Sequence, residues 1–177
     1  MTFANAIKVF LFIPLALTVL SACGEKSADA GNSKGGGPAL AAFTVYKDPN
    51  CGCCSLWIKH MESAGFQLEG KNVDDVSPVK REFGIGLSHR SCHTAVWDDG
   101  EARYVFEGHV PAPLVQRFLN ERPENGLGLL VPGMPVGSPG MEHGDMRMPY
   151  DVLLLRKDGS TEVYAHIAGN GEHEAPR

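Results

Sequence analysis

The sequence predicts an α/β protein, and three observations support this class. From Phe43 onward, short runs of β-branched and aromatic residues alternate with segments whose apolar residues recur at helical spacing. Three cysteines, Cys51, Cys53 and Cys54, stand where the first such run gives way to the first helical segment. The chain has 177 residues, 43% of them hydrophobic and 21% charged, so it is long enough for one ordinary domain and too polar for a polytopic membrane protein.

Residues 1–22 are predicted to be a lipoprotein signal peptide. The apolar run Val9–Leu20 is too short to span a bilayer comfortably and has the length of a signal-peptide core. The sequence from Leu20 to Cys23 resembles the lipobox of bacterial lipoproteins, where cleavage precedes a lipid-modified cysteine. We therefore expect lipidation of Cys23 and a membrane anchor in the periplasm, and Gly24 favours the outer membrane. An ordinary signal peptide cut nearby, with Cys23 incidental, is the alternative.

The predicted organisation downstream of the signal peptide is simple. Residues 23–42 are the lipidated cysteine and a tether of Gly, Ala, Ser and charged residues, which cannot bury a core. A folded domain is expected over residues 43–168, followed by a loose tail over 169–177. Its first strand begins at Phe43 and ends at a turn around Pro49, and its first helix runs from Ser55 to a glycine cap at Gly65.

The later elements are predicted from the same patterns. They are a strand over 67–73, a short helix over 77–84 with Pro78 at its first position, a hairpin of strands 94–97 and 104–107, a helix over 114–121, an ordered Gly-Pro-Met loop over 130–141 and a terminal hairpin of strands 151–156 and 161–166. The order up to residue 121 resembles that of a thioredoxin-like domain. That resemblance implies that Cys92, in the loop before the third strand, lies beside Cys51, Cys53 and Cys54. The cis-proline that such folds carry in this loop is absent.

The cysteine motif supports two kinds of chemistry. A helix N-terminus stabilises thiolate, which is both the nucleophile of disulfide exchange and a ligand for soft metals. Cys51 and Cys54 have the spacing of a redox pair. An enzyme that only exchanges disulfides does not need the third cysteine, Cys53. Because successive helical residues point about 100° apart, these sulfurs are expected to converge poorly on one small ion and to suit a multinuclear, sulfur-bridged cluster. Thiolate, thioether and imidazole together select Cu(I), and a structural zinc site is the alternative.

Other soft donors complete the candidate site. Candidate ligands besides the cysteines are His93, His109, Met134 and Met141, the two methionines being equally well explained as loop-packing residues. His60 is expected at the surface, and Met61 in the core. A second soft-donor group forms either a weak accessory copper site or a variable loop: His143, Met146 and Met148.

Four motifs in order resemble the CopG-like family of periplasmic metal-binding proteins, long catalogued as a domain of unknown function. The match covers about residues 43–156, and its motifs are Cys51-Gly52-Cys53-Cys54, Ser91-Cys92-His93-Thr94-Ala95, Glu107-Gly108-His109-Val110-Pro111 and Val131-Pro132-Gly133-Met134-Pro135 through Met141. The resemblance implies a thioredoxin-like fold with a cysteine-bridged copper cluster, a role in copper resistance, and interconversion of Cu(I) and Cu(II). By position it implies that the four cysteines, His93, His109, Met134 and Met141 are the metal donors.

Two functional hypotheses follow from the sequence. The first is a lipid-anchored periplasmic protein that holds Cu(I) and exchanges it with periplasmic copper exporters or chaperones. The second is an enzyme that exchanges disulfides through Cys51 and Cys54. A net charge of −5 without a basic segment provides no surface for a phosphate backbone, so we expect no nucleic-acid partner.

Overall fold

The computed structural model describes residues 42–169 and 173–174. Within them lie eight strands, three α-helices and a short 3₁₀ helix over Leu87–His89. In chain order the elements are β1 (Ala42–Lys47), α1 (Gly52–Ser63), β2 (Gln67–Asn72), α2 (Ser77–Glu82), β3 (His93–Asp98), β4 (Arg103–Glu107), α3 (Ala112–Glu121), β5 (Gly126–Leu130), β6 (Tyr150–Arg156), β7 (Thr161–Ile167) and β8 (His173–Glu174). The predicted signal peptide, Cys23 and nearly all of the tether lie outside the described residues.

The strands form one mixed sheet in the order β2-β1-β3-β4-β5-β6-β7-β8. Strand β1 pairs in parallel with β2 and antiparallel with β3, so the chain enters the sheet near one edge and crosses over through α1. Strands β3 and β4 form the predicted hairpin, and β6 and β7 form the predicted terminal hairpin. The α/β class is therefore confirmed.

Strand β5 is not predicted by the sequence pattern, which indicates no element between α3 and the loop at residue 130. It pairs in parallel with β4 and antiparallel with β6, and thus joins the terminal hairpin to the first four strands. The glycines of β5, Gly126 and Gly128, explain why no strand is predicted there, because glycine is depleted in strands. Gly128 is needed there, since a Cβ atom at this position would overlap the carbonyl of Val105.

Helices cover both faces of the sheet. Phe43 and Val45 of β1 point into the larger core, together with Trp57 of α1 and Phe118 of α3. The opposite face packs against α2 and the segment after it through a smaller set of side chains: Val79, Phe83, Ile85, Val96, Val105, Leu130 and Leu155. Because successive residues of a strand face opposite sides of the sheet, helices pack on both faces and the fold has three layers. The N-terminus of α1 lies at one end of the sheet.

Candidate metal centre

Cys51 begins the site by capping α1. The turn after β1 is held by Asp48, whose carboxylate accepts the N–H of Asn50 at 2.7 Å and whose carbonyl accepts the N–H of Cys51 at 3.1 Å. Cys51 then adopts an extended conformation, and its sulfur accepts the N–H of Cys54 at 3.3 Å. The helix starts at Gly52, three residues earlier than predicted, so Cys53 and Cys54 lie in its first turn, where unpaired backbone N–H groups and the helix dipole favour thiolate.

Four sulfur atoms meet at this helix end. The Sγ atoms of Cys51, Cys53, Cys54 and Cys92, here called the four-sulfur group, all lie within 4.8 Å of one another. Cys51 and Cys54 are joined as a disulfide, and Cys53 and Cys92 are free thiols. The predicted divergence of the sulfurs is not observed, because Cys51 is an extended N-cap residue and its side chain folds back over the first turn.

Cys92 lies in the centre of the donor atoms. Its sulfur is 3.4 Å from Cys54 Sγ and 3.9 Å from Cys53 Sγ, as the thioredoxin-like resemblance implied. Burial, assisted by the neighbouring Cys53, raises the pKa of the Cys92 thiol to about 12. In the metal-free protein Cys92 is therefore protonated at neutral pH, and a metal ion that binds there must displace the proton.

Two buried imidazoles contact Cys92 on its other side. His93 Nδ1 lies 3.3 Å and His109 Nε2 lies 3.1 Å from Cys92 Sγ. Both side chains are fully buried, and burial lowers the pKa of each imidazole below its ordinary value, so both rings are neutral. Neutral imidazole is the form that binds metals. The ligand atoms of Cys92, His93 and His109 lie within 4.8 Å of one another.

The loop that carries Cys92 packs on a buried charged pair that the sequence pattern does not predict. Lys80 and Glu107 form an ion pair with side-chain exposures of 3% and 0%. The Glu107 carboxylate also accepts the N–H of Ser91 at 2.6 Å and the hydroxyl of Thr94 at 2.7 Å. Burial raises the pKa of Glu107, and Lys80 opposes that shift. In the sequence, Lys80 lies among charged residues on a short helix and therefore resembles a surface residue. Only the motif that contains Glu107 was recognisable as part of the site.

The Gly-Pro-Met loop closes over the site. The Pro139 carbonyl accepts the N–H at Nδ1 of His109 at 2.8 Å, and a Cβ atom on Gly140 would stand 2.8 Å from the backbone oxygen of Cys53. Met141 follows directly and is half-buried, whereas Met134 is 51% exposed. The loop is thus ordered as predicted, and ligation by either methionine stays a prediction.

The remaining soft donors lie elsewhere or have other partners. His60 is half-buried, and its Nε2 accepts the N–H of Ala112 at the start of α3, so it is neither fully exposed nor free for a metal. Met61 is fully buried in the core, as predicted. The accessory candidates are all exposed: His143, Met146 and Met148.

Comparison with known proteins places the chain in a family. Residues 89–141 match the family described as "Protein of unknown function, DUF411". A solved structure named "Copper resistance protein copG- Form 1" is 42% identical, with a TM-score of 0.67 over 73% of this chain and 99% of that chain. Its counterpart "Form 2" is also 42% identical, with a TM-score of 0.66 over 72% of this chain and 98% of that chain. The chain belongs to the CopG family.

The CopG match confirms the thioredoxin-like fold expected from the order of the elements. The match covers nearly the whole of both solved chains. No curated protein sequence matches significantly. Among the residues that the structure describes, no helix is long and apolar enough to cross a bilayer.

Proposed function

We propose that this protein binds copper as Cu(I) in a multinuclear thiolate cluster and contributes to copper resistance. The observation that carries the proposal is the meeting of four cysteine sulfurs within 4.8 Å at a helix N-terminus, with two neutral imidazoles on Cys92. Two solved relatives with the same domain are named copper resistance proteins, which supports copper as the ion.

The donor types support a soft, monovalent ion. Both groups of converging ligand atoms contain only cysteine sulfur and imidazole nitrogen, and no carboxylate belongs to either of them. Hard cations such as Mg²⁺ and Ca²⁺ require oxygen ligands, whereas thiolate and imidazole suit Cu(I). Sulfur separations of 3.4 to 3.9 Å around Cys92 would let its thiolate bridge two ions.

The cluster requires the Cys51–Cys54 disulfide to be reduced. Reduction by an external dithiol, which is itself oxidised to a disulfide, adds two electrons and two protons and frees two further sulfur ligands. In the opposite direction, the dithiol can supply two electrons and thereby reduce two Cu(II) ions to Cu(I) while two protons leave. Interconversion of Cu(I) and Cu(II) at this site is therefore part of the proposal.

The setting of the function comes from the sequence. The lipobox ending at Cys23 supports a lipid anchor, and export would place the domain in the periplasm, on the membrane face favoured by Gly24. Copper ions are the proposed cargo, and periplasmic exporters or chaperones are the proposed partners. Tethering would keep the site within reach of membrane proteins that deliver or accept copper.

A second candidate function is thiol-disulfide exchange. The observation that favours it is the Cys51–Cys54 disulfide itself, at the helix N-terminus where a redox pair operates. Cys53 or Cys92 would then serve as the resolving thiol. A structural zinc site in the reduced four-sulfur group is the remaining alternative.

The deciding experiment is metal analysis of the full chain purified anaerobically, with peptide mapping of alkylated cysteines. We expect several copper ions per chain in the reduced protein, and loss of most of them in Cys92→Ser. Ser88→Ala, an exposed substitution near the same loop, is the matched control and should retain full loading.

Two other results would contradict the copper proposal. A single zinc ion and no copper would support the structural site. Rapid turnover of a disulfide substrate by metal-free protein, abolished in Cys51→Ser and retained in Cys92→Ser, would support the oxidoreductase.

A further inference from the structure

Three donors form a compact group of their own beside the disulfide. We call Cys92, His93 and His109 the inner triad. Its ligand atoms, Cys92 Sγ, His93 Nδ1 and His109 Nε2, converge while Cys51 and Cys54 are bonded to each other. The inner triad therefore does not depend on the two sulfurs that oxidation removes from the four-sulfur group.

His109 is already oriented as a ligand. Its Nδ1 lies 2.8 Å from the Pro139 carbonyl, which can only accept, so the ring proton resides on Nδ1. Its Nε2 consequently presents a lone pair to Cys92 Sγ at 3.1 Å. A metal-binding imidazole commonly donates its other N–H to a carbonyl in this way.

His93 is buried with very little polar compensation. Its Nδ1 lies 3.3 Å from Cys92 Sγ, and its Nε2 has no hydrogen-bond partner among the described residues. The Trp57 ring packs against it with a centroid separation of 4.5 Å. Burying an imidazole whose one polar contact is a sulfur atom is costly, and a metal ion on Nδ1 would offset that cost.

Charge selects the ion. With both rings neutral, one thiolate gives the inner triad a charge of −1, and Cu(I) brings the site to zero. A divalent ion would leave one positive charge in a buried site.

We infer that the disulfide form of the protein holds one Cu(I) ion at Cys92 Sγ, His93 Nδ1 and His109 Nε2. The inference rests on the proposed function for the identity of the metal. Oxidation of Cys51 and Cys54 to the disulfide would then lower the number of bound copper ions from several to one, and the site would not become empty.

The test uses the full chain with Cys51→Ser and Cys54→Ser combined, which removes the same two sulfurs and cannot form the disulfide. Cu(I) is supplied anaerobically in competition with a chromophoric Cu(I) chelator, and X-ray absorption reports the ligands. We expect one Cu(I) per chain with one sulfur and two nitrogen ligands. Adding Cys53→Ser should leave that ion bound, and circular dichroism verifies that each variant is folded.

Substitution of the imidazoles supplies the matched comparison. His109→Gln in the double variant should weaken Cu(I) binding at least tenfold. His89→Gln, at a half-buried histidine of the 3₁₀ helix that belongs to neither group of converging ligand atoms, should leave the affinity unchanged. Wild-type protein is also oxidised with diamide, and its disulfide is verified by peptide mapping. It should bind one Cu(I), with the same X-ray absorption spectrum as the double variant.

The outcomes separate this inference from the proposed function. If reduced wild-type protein binds several copper ions and the double variant binds none, the inference fails and the cluster proposal stands. Coordination by two sulfurs, with no effect of His109→Gln, would assign the ion to Cys53 and Cys92 and overturn the inner triad. Absence of copper from every form would overturn both proposals, and preferential binding of Zn²⁺ by the double variant would overturn the charge argument.

Discussion

The backbone N–H of Ser91 donates to the carboxylate of Glu107 at 2.6 Å, so a fully buried acid at the end of β4 holds the residue that precedes Cys92. The same carboxylate is paired with Lys80 and accepts the hydroxyl of Thr94. The position of the Cys92 sulfur among its neighbours therefore depends on a polar network beneath it, as well as on the helix that carries the other cysteines.

Glu107→Gln is expected to destabilise the protein by about 3–5 kcal/mol. The substitution keeps the shape of the side chain but leaves the Lys80 ammonium buried without a counter-charge. Urea unfolding of the metal-free protein measures the loss. Lys80→Met combined with Glu107→Gln should recover most of the lost stability, because no unpaired charge then remains.

The control for this prediction is the exposed ion pair between Arg103 and Glu82, whose side chains are 48% and 50% exposed. Glu82→Gln should cost about 1 kcal/mol or less, because solvent screens such pairs. Equal losses in Glu82→Gln and Glu107→Gln would show that burial of the Lys80 pair has no special importance.

Gly140→Ala is expected to loosen the loop over the metal centre. Gly140 has a φ of +84°, and an added Cβ atom would stand 2.8 Å from both Cys53 O and Trp57 N, which are backbone atoms. Gly133→Ala is the matched control, since Gly133 has a φ of +68° and open space around the added atom. Thermal unfolding should show that the free energy of unfolding falls by about 1–2 kcal/mol in the control and by more in Gly140→Ala. Similar losses would mean that the helix and loop are not in close contact in solution.

Met141 and Met134 are expected to differ as copper ligands. Met141 directly follows the glycine that packs on α1, whereas Met134 has 51% of its surface exposed. Met141→Leu should therefore weaken Cu(I) binding by roughly tenfold, and Met134→Leu should have little effect. Competition with a Cu(I) chelator measures both. The reverse ranking would place the thioether donor on the far part of the loop.

Much of the fold could be predicted because its signals are local. Each of these features depends on a few neighbouring residues: the turn at Pro49, the glycine Gly65 after α1, and the two hairpins with their turns. The location of Cys92 was also predictable, but only through the resemblance to a fold that brings the loop before β3 to the start of α1.

The missed features depend on contacts between distant segments. Strand β5 has a glycine where it approaches β4 closely, so its local composition resembles a loop. The pairing of Lys80 with Glu107 joins residues 27 positions apart. Likewise, the compactness of the four-sulfur group depends on the extended conformation of Cys51, which no residue count along a helix reveals.

Cys23→Ala is expected to abolish lipid attachment. The wild-type chain should incorporate an alkyne-labelled fatty acid and partition with membranes, since the lipobox supplies the modification site. The variant should lose the label yet keep its copper stoichiometry, because no ligand of the metal centre is altered. Label retained in the variant would exclude Cys23 as the acceptor.

Acid should destabilise the metal-free protein through its buried histidines. Burial lowers the pKa of His93, His109 and His60 below the ordinary value of 6.5, so below that pH the unfolded chain binds protons that the folded protein does not. Stability is then complete above pH 6.5 and falls as pH decreases, by about 1.4 kcal/mol per histidine per pH unit until the folded pKa of that group is reached. Urea unfolding at pH 7.5, 6.5 and 5.5 measures the slope. His109→Gln should remove one histidine's share of it, and an unchanged slope in that variant would mean that His109 is protonated in the folded protein.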